Sequence, residues 1–443
     1  MAGIVRAQSP AGETVALVEA LPERSLPGLD ALLRHGLEAG PSVLIQRLSA
    51  EQSEANTRVS RAQLLPNAST SVSAGQILEQ RKTNGEATPD RYVPKVVLYN
   101  LGVSQPLFHW GALSNSYKAS KLYAAIAARN VHETRRLLAV DLRRRYFDLT
   151  LATGSLEFAR KGLTDLERQL EFAKKQVADG FAPSSASGML EAQLIMARLD
   201  ITRLENDLNT LRQNVSRIVG LPPESLPRAA RELPALPAIG ETLMALSAKA
   251  PASTSARLQS AEDQVRIEAL NYEVTKTRLR PKVGVNFSVG QDNRSPDNDP
   301  FLQKALVTTW GGFATINWQL FDGFATDALK MSSLSRLRAL QLERDSIAQQ
   351  EADERRTEVT ALQLMWRRLQ ESEKSFSYAA SSVTSAEKDF TAGWVPKSIV
   401  EEAQRAADLS LQTINAARAE FHTALATYLS NRGEDPALKS GRL

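Results

Sequence analysis

Alternation of apolar and polar residues marks four stretches of the chain. In "KVGVNFSVG", Val283, Val285, Phe287 and Val289 fall on one face and Gly284, Asn286, Ser288 and Gly290 on the other, the period of two expected of a strand. "WGGFATINWQLF" places Trp310, Ala314, Ile316, Trp318 and Leu320 against Thr315, Asn317 and Gln319 in the same way. Val97, Tyr99, Leu101 and Val103 oppose Asn100, Gly102 and Ser104, and the small, polar "NASTSVSAG" is the weakest of the four strand signals. Loops of low hydrophobicity, "EQRKTNGEATPDR" and "DNRSPDNDP", join the strands in pairs. Elsewhere the period is helical. Nothing from about Gly111 to Gln176 breaks a helix except the lone Gly154 and Gly162, and Ala325 to about Thr391 contains no glycine or proline. Each run of roughly 65 residues would measure about 98 Å at 1.5 Å per residue. Shorter helices are expected over Ser42–Leu65 and Ser184–Val219 (about 36 and 54 Å), and again over Ser253–Arg280 and Lys397–Asn431.

The order is written twice. "LLPNASTSVSAGQ" and "RLRPKVGVNFSVGQ" align with Pro66 on Pro281 and Gly75 on Gly290, a shift of 215 residues. "VSQPLFHWGALSNSYKAS" meets "INWQLFDGFATDALKMSS" with Phe108 on Phe321, a shift of 213. "VADGFAP" meets "FTAGWVP" at that same shift, pairing Gly180 with Gly393, and Gly220 pairs with Gly433. A shift so constant over more than a hundred residues is a duplication. The chain therefore divides into a first repeat over 1–220 (helix, strands at about 65–77 and 95–108, long helix, turn at 180, helix) and a second over 241–433 (helix, strands at about 281–292 and 307–321, long helix, turn at 393, helix). Between them, residues 221–240 hold five prolines that forbid a regular helix, and residues 434–443 form a tail.

Two hairpins give four strands with two raw edges, too few to close a barrel alone. An ordinary sandwich sheet with one wet face is the plainer reading, but helices this long do not flank sandwiches. Closure would require several copies of the chain. The helix around "LLAVDLRRRYFDLTLATGSLEFARKGLTDLERQL" agrees: Leu137, Leu138, Val140, Leu142, Tyr146, Phe147 and Leu149 make a wide, two-sided stripe rather than a single coiled-coil seam. Such a helix has neighbours on both flanks. Arg135, Arg136, Arg143, Arg144 and Arg145 read as a solvated face.

Composition narrows the function. The chain has 443 residues, 54 basic against 50 acidic side chains, and a net charge of +4, a solvated surface rather than a nucleic-acid footprint. Mean hydropathy is −0.28 and no stretch of eighteen apolar residues exists, which excludes membrane-spanning helices but leaves β-barrels open. The absence of cysteine removes disulfides, zinc-thiolate sites and thiol nucleophiles. "MAGIVRAQSPAGETV" lacks an apolar core of signal-peptide length, leaving either a cytoplasmic chain or a mature segment carrying a start Met. The four histidines (His35, His109, His132, His422) show no metal-ligand spacing, and no phosphate loop or nucleophile elbow appears. No enzyme, cofactor or metal site is expected. Aromatics Phe108, Trp110, Trp318 and Phe321 cluster where strands meet helices; they are core fillers in a sandwich and an interfacial girdle in a barrel.

The duplicated strand, long helix, turn and helix, together with "LLPNAS" and "LRPKVG" entering strands, "QPLFHWG" and "QLFDGFA" leaving them, and "ADGFAP" and "TAGWVP" at the turns, resemble the outer-membrane efflux protein (TolC-like) family from about Leu29 to Gly433. The resemblance implies an α+β fold: a trimeric outer-membrane β-barrel, four strands per chain, continued by a long periplasmic α-helical barrel. It implies a passive exit duct for an efflux or type I secretion system, a homotrimer partnered by a periplasmic adaptor and an energised inner-membrane transporter. Just beyond the turns the family places acidic pore-facing residues. Here these positions hold Glu401 and Gln404 after one turn, with Glu402 adjoining, and Gly188 and Glu191 after the other. Acids at an exposed helix start are equally favoured by the helix dipole alone. The turns, with Asp179, Gly180, Phe181, Gly393 and Trp394, resemble the family's adaptor-docking tips; Phe181 and Trp394 either stand out at the tip or fold back onto their own hairpins. A soluble periplasmic coiled-coil scaffold or adaptor is the alternative of a different class.

Overall fold

A computed structural model describes residues 17–76, 78–81, 90–92, 95–181, 183–237, 239–246, 255–295 and 305–439. The expected loops at 79–91 and 292–300, the start of the helix expected from Ser253, and the end of the tail lie partly or wholly outside the described residues. The strands are β1 (Asn67–Gln76), β2 (Glu79–Arg81), β3 (Asp90–Tyr92), β4 (Lys95–Phe108), β5 (Lys282–Ser295) and β6 (Ala305–Asn317). The helices are α1 (Pro27–Ala39), α2 (Pro41–Ala62), α3 (Ala112–Ala178), α4 (Ser184–Val219), α5 (Gly240–Ala245), α6 (Ala256–Lys276), α7 (Ala325–Thr391), α8 (Lys397–Asn431) and α9 (Pro436–Lys439). Short 3₁₀ turns occupy Pro22–Arg24 and Pro223–Ser225.

The sheet has the four strands expected, and three details add to the sequence pattern. The described residues hold six strands, because β2 and β3 pair beyond the first hairpin. The last strand ends at Asn317, so Trp318, Leu320 and Phe321 follow it instead of alternating within it. Apart from the turn at Pro223–Ser225 the described residues from 221 to 239 are irregular, yet Leu226, Leu233 and Ile239 are buried: this linker is part of the core.

The chain divides into two compact units, one over 49–129 and 257–347, the other over 1–48, 130–256 and 348–443; both long helices contribute to each. The first unit contains the sheet, whose order is β1-β4-β5-β6 with every neighbour antiparallel. The second contains two apolar clusters, each built mainly on the helices of one repeat, although Leu17, Ala20 and Leu21 join the cluster of the second repeat and Ala419 that of the first. In the first repeat Leu29, Leu33 and Leu37 of α1 cover Leu142, Tyr146 and Phe147 of α3 and Val215 and Val219 of α4. In the second, Ile239 and Leu243 cover Leu362, Trp366 and Leu369 of α7 and Phe421, Leu425 and Leu429 of α8. The wide stripe of α3 is buried as expected, except that Leu137 lies exposed and Val140 is half-buried.

The arginine run is not a uniform solvated face. Arg144 is exposed, but Arg135 is buried and Arg143 wholly so, because Arg143 follows Leu142 on the core side of α3. Its guanidinium grips Asp435 with two parallel bonds, Nη1 to Oδ2 at 2.6 Å and Nη2 to Oδ1 at 2.8 Å, while Nε donates to Glu23. Burial alone would lower the arginine's pKa; the two carboxylates more than offset it and raise it. Asp435 is fully buried too, and the amide of Ala437 donates to it at 3.0 Å. One side chain in the middle of α3 therefore ties the segment before α1 to the segment after α8.

Removing one partner of such a pair strands a buried charge at a cost of about 3–5 kcal/mol, whereas replacing both by apolar groups is often neutral. Arg143→Ala should lower the thermal midpoint of the helical signal, and Arg143→Met with Asp435→Leu should recover much of the loss. A single variant that melts like the parent would show that this clasp carries no stability.

Candidate functional site

Cross-strand register decides what each face of the sheet presents. Residues directly opposite in an antiparallel pair share a face. One row therefore reads Ala68, Val103, Phe287, Gly312; the next reads Thr70, Leu101, Val289, Trp310; further rows add Val285 with Ala314 and Val283 with Ile316. A register shift between Pro106 and Phe108 brings Phe108 opposite Val283 and onto this apolar face. The other face reads Asn67, Ser104, Asn286, Phe313, then Ser69, Gly102, Ser288, Gly311, then Ser71, Asn100, Gly290, Thr309. In these three rows only Phe313 is large and apolar; further along the same face the rows of Asp292 and Arg294 add Leu98, Val307 and Val96. Asn286 Nδ2 donates to Thr315 Oγ1 at 3.2 Å on the polar face. The polar signal of "NASTSVSAG", weak by itself, belongs to a strand of this sheet.

The apolar face holds Phe287, Trp310 and Ile316 at 48, 73 and 68% exposure, so no described residue of the chain covers these side chains. Neither β1 nor β6 has a second neighbour among the described residues. A sheet with two open edges, one apolar exposed face and one polar face defines a class: a portion of a closed β-barrel whose outside meets hydrocarbon.

At the strand–helix corners the aromatics are held by hydrogen bonds. Trp110 Nε1 donates to the Pro281 carbonyl at 2.7 Å, and Trp318 Nε1 to the Leu279 carbonyl at 3.0 Å. The Arg280 guanidinium lies 4.9 Å from the Trp110 ring centre, and Phe108 meets Trp110 edge-on at 4.8 Å. One segment, Leu279–Pro281, thus anchors both corners. Phe321 stacks edge-on with Phe324 at 5.4 Å, and Phe324 is a member of the cluster that the pattern reading missed. Trp110 and Phe324 both take positive φ, 56° and 63°, beside glycines that do the same. A left-handed residue costs roughly 1–2 kcal/mol, offset at Trp110 by the bonds just named.

At the far ends of α3 and α7 the chain turns back by one motif used twice. Gly180 (φ 79°) and Gly393 (φ 78°) supply the left-handed residue. The amides of Phe181 and Trp394 donate to the carbonyls of Gln176 and Asp389, five residues back, at 2.8 and 2.9 Å. This is the glycine-terminated helix end of the Schellman type. Phe181 and Trp394 follow directly and stand 83 and 80% exposed, so neither folds back onto its own hairpin. Asp179 sits in the first turn beside Gly180.

Beyond the turns, Glu401 lies in the second turn of α8, half-buried, with Lys397 Nζ 3.8 Å from it on the same helix. Glu402 is exposed beside it. Gln404 Nε2 donates to Glu387 of α7 at 3.5 Å, and Glu191 of α4 pairs with Lys174 of α3 at 2.7 Å. These two contacts are the same contact: Lys174 maps to Glu387 and Glu191 to Gln404 at the 213-residue shift. The duplication relation could have found this pair in the sequence. Among the described residues no group of three or more His, Asp or Glu could hold a metal, and no helix is long and apolar enough to cross a membrane.

The model of the outer membrane efflux protein family matches residues 32–221 and 252–429, and the chain belongs to that family. It is a non-enzymatic efflux channel of the outer membrane, with its helical part in the periplasm. Among solved structures, the fold is similar to the CmeC outer membrane channel of Campylobacter jejuni (TM-score 0.75, 13% identity, 92% of this chain and 86% of that one). It is also similar to the outer membrane protein VceC of Vibrio cholerae (0.70, 15%, 93% and 98%) and to the open state of the MtrE outer membrane channel of Neisseria gonorrhoeae (0.67, 17%, 92% and 89%). A comparison with curated protein sequences gives no match. At such identities the likeness to these structures is one of fold. Family membership sets aside the alternative of a soluble scaffold.

The two faces should respond oppositely to charge. Phe287→Arg or Ile316→Arg should impair insertion by about 2–4 kcal/mol where the site lies mid-bilayer. Asn286→Arg or Asn317→Arg should insert normally. Quantifying each variant in outer-membrane fractions checks this, and equal tolerance on the two faces would contradict the assignment of lipid and lumen sides.

Proposed function

We propose that three copies of this chain close one twelve-stranded barrel and act as the passive exit duct of a tripartite efflux or type I secretion system. A periplasmic adaptor and an energised inner-membrane transporter would supply the work. The observation that carries the reading is the sheet: four strands, two open edges, one exposed apolar face and one polar face. The rows on this face span ten residues along β5, from Val283–Ile316 to the row of Val97, Asn293 and Leu306, with Gln291, Thr308 and Asn293 as polar members at the far end. That is about 34 Å along the strand at ~3.4 Å per residue, and about 26 Å along a barrel axis tilted by about 40°. The height suits the apolar band of an outer membrane, about 25 Å. Phe108, Trp110, Trp318 and Phe321, with Phe324, would then form the periplasmic-side aromatic girdle.

In this reading Asp179, Gly180, Phe181, Gly393 and Trp394 are the adaptor-docking tips. What supports it is the pairing of a stiff, hydrogen-bonded turn with an exposed aromatic ring at each, a rigid apolar anchor of the kind that binding hot spots use. Glu401, Glu402, Gln404 and Glu191 surround the constriction near those tips. The partners found for them rank the four. Glu191 pairs closely with Lys174 at 2.7 Å, Glu401 only loosely with Lys397 at 3.8 Å, and Gln404 is neutral, so Glu401 and Glu402 carry most of the charge of the constriction. Threefold symmetry would gather six such carboxylates, which attract cations.

Mass measurement in detergent should give a homotrimer; a monomer would end this reading. In planar bilayers the pore should be cation-selective and blocked by trivalent cations added on the tip side. Glu401→Gln with Glu402→Gln should weaken selectivity and block together. If that double variant conducts and blocks like the parent, these acids are ordinary helix-start residues and the constriction lies elsewhere.

A further inference from the structure

The second repeat contains, within one chain, a template for a seam that the first repeat lacks. Arg129 of α3 donates to Ser260 Oγ of α6 at 3.2 Å and grips the buried carboxylate of Asp263. On another side of α6, Glu268 faces Arg336 of α7 at 3.5 Å. Helix α6 is thus flanked by two long helices. Its counterpart α2 is tied to one: Thr57 Oγ1 donates to the Ser120 carbonyl of α3 at 3.0 Å. At its start Val43 is buried in the core, but another face of α2 is open, with Leu48 and Val59 at 63 and 61% exposure. Helix α7 is bare as well at Leu342 and Met331, 71 and 73% exposed.

The duplication relates these surfaces residue by residue. Arg129 maps to Leu342 at a shift of 213, and Asp263 maps to Leu48 at 215. The two positions that form the ion pair within the chain are therefore two exposed leucines on surfaces that find no partner among its described residues. Eleven residues nearer the sheet on each helix stand Val59 and Met331. Eleven residues are three helical turns, so each pair lies on one face of its helix. Antiparallel packing that sets Leu48 on Leu342 sets Val59 on Met331 at the same time. The unpaired strand edges lie on the same two flanks, since β1 follows α2 and β6 precedes α7.

We propose that α2 of one copy packs antiparallel against α7 of the next, Leu48 on Leu342 and Val59 on Met331, an apolar seam between chains where the equivalent seam within the chain is ionic. The inference rests on the assembly proposed above and names its contact. The change of chemistry gives the assembly its register. Were α6 to take the place of α2 against a neighbour's α7, Asp263 would be buried against Leu342 with no guanidinium, which is strongly unfavourable. An apolar seam is also insensitive to salt, unlike exposed ion pairs.

The chain has no cysteine, so engineered pairs report without background. Val59→Cys with Met331→Cys in the full-length protein, mildly oxidised in detergent, should give dimers and trimers on a non-reducing gel, as should Leu48→Cys with Leu342→Cys. Arg129→Cys with Asp263→Cys should close within one chain and run as a monomer. A trimer by mass that forms neither intermolecular cross-link overturns this seam and leaves the duct reading standing; a monomer by mass overturns both. Independently, Leu48→Asp should lose trimer, and adding Leu342→Arg should restore it with a new salt sensitivity. Failure of that rescue in a folded double variant would also count against the seam.

Discussion

A β-sheet cannot end in hydrocarbon. Each strand edge exposes a row of backbone donors and acceptors, and inside a bilayer no water satisfies them. The sheet of this chain has two such edges, on β1 and β6, and four strands do not curl far enough to pair them with each other. Much of the rest of the molecule answers this constraint. The chain is duplicated because one hairpin makes a narrow share of a barrel wall and two make a wider one. Its faces alternate because the outside of a barrel meets lipid and the inside meets water. The strand–helix corners are pinned by tryptophan hydrogen bonds to Leu279 and Pro281, where the chain passes from one environment to the other.

The helical unit solves a different problem with the same duplicated chain. Each repeat lays a short cover over a long helix, α1 in one and the Ile239–Leu243 segment in the other. The linker between repeats supplies core leucines rather than slack. Arg143 then fastens both ends of this unit to the middle of α3 through Glu23 and Asp435. A buried charge is a poor source of net stability but a strict demand on geometry. Here the demand falls on two segments that lie 412 residues apart in sequence and would otherwise be free to fray.

Duplication also lets the two repeats diverge where their surroundings differ. The cross-helix contact beyond each turn is an ion pair in one repeat, Lys174 with Glu191, and a carboxylate–amide bond in the other, Glu387 with Gln404. The backbone geometry of the turn is unchanged, since a positive-φ glycine fixes it in both. Charge is thus varied around a shared frame. The seam proposed for α2, set beside the ionic contact of α6, would follow the same rule.

Much of the fold was legible in the sequence because it rests on local rules. Period-two alternation located β4 and β5, uninterrupted helical sequence located α3 and α7, and Gly180 and Gly393 located the turns. The constant shift between repeats joined these into an architecture. What the sequence left open was decided by contacts distant in the chain. The bulge near Pro106 puts Phe108 on the apolar face, a matter of pairing with β5. Phe181 and Trp394 could have folded back or stood out, and only the hydrogen-bonded turn shows them exposed. Arg143 looked solvated because its four arginine neighbours along the chain say nothing of Asp435, which reaches it from the opposite end. The pattern of a chain fixes which residues can share a face; which partner meets that face is set by tertiary contacts that no local pattern encodes.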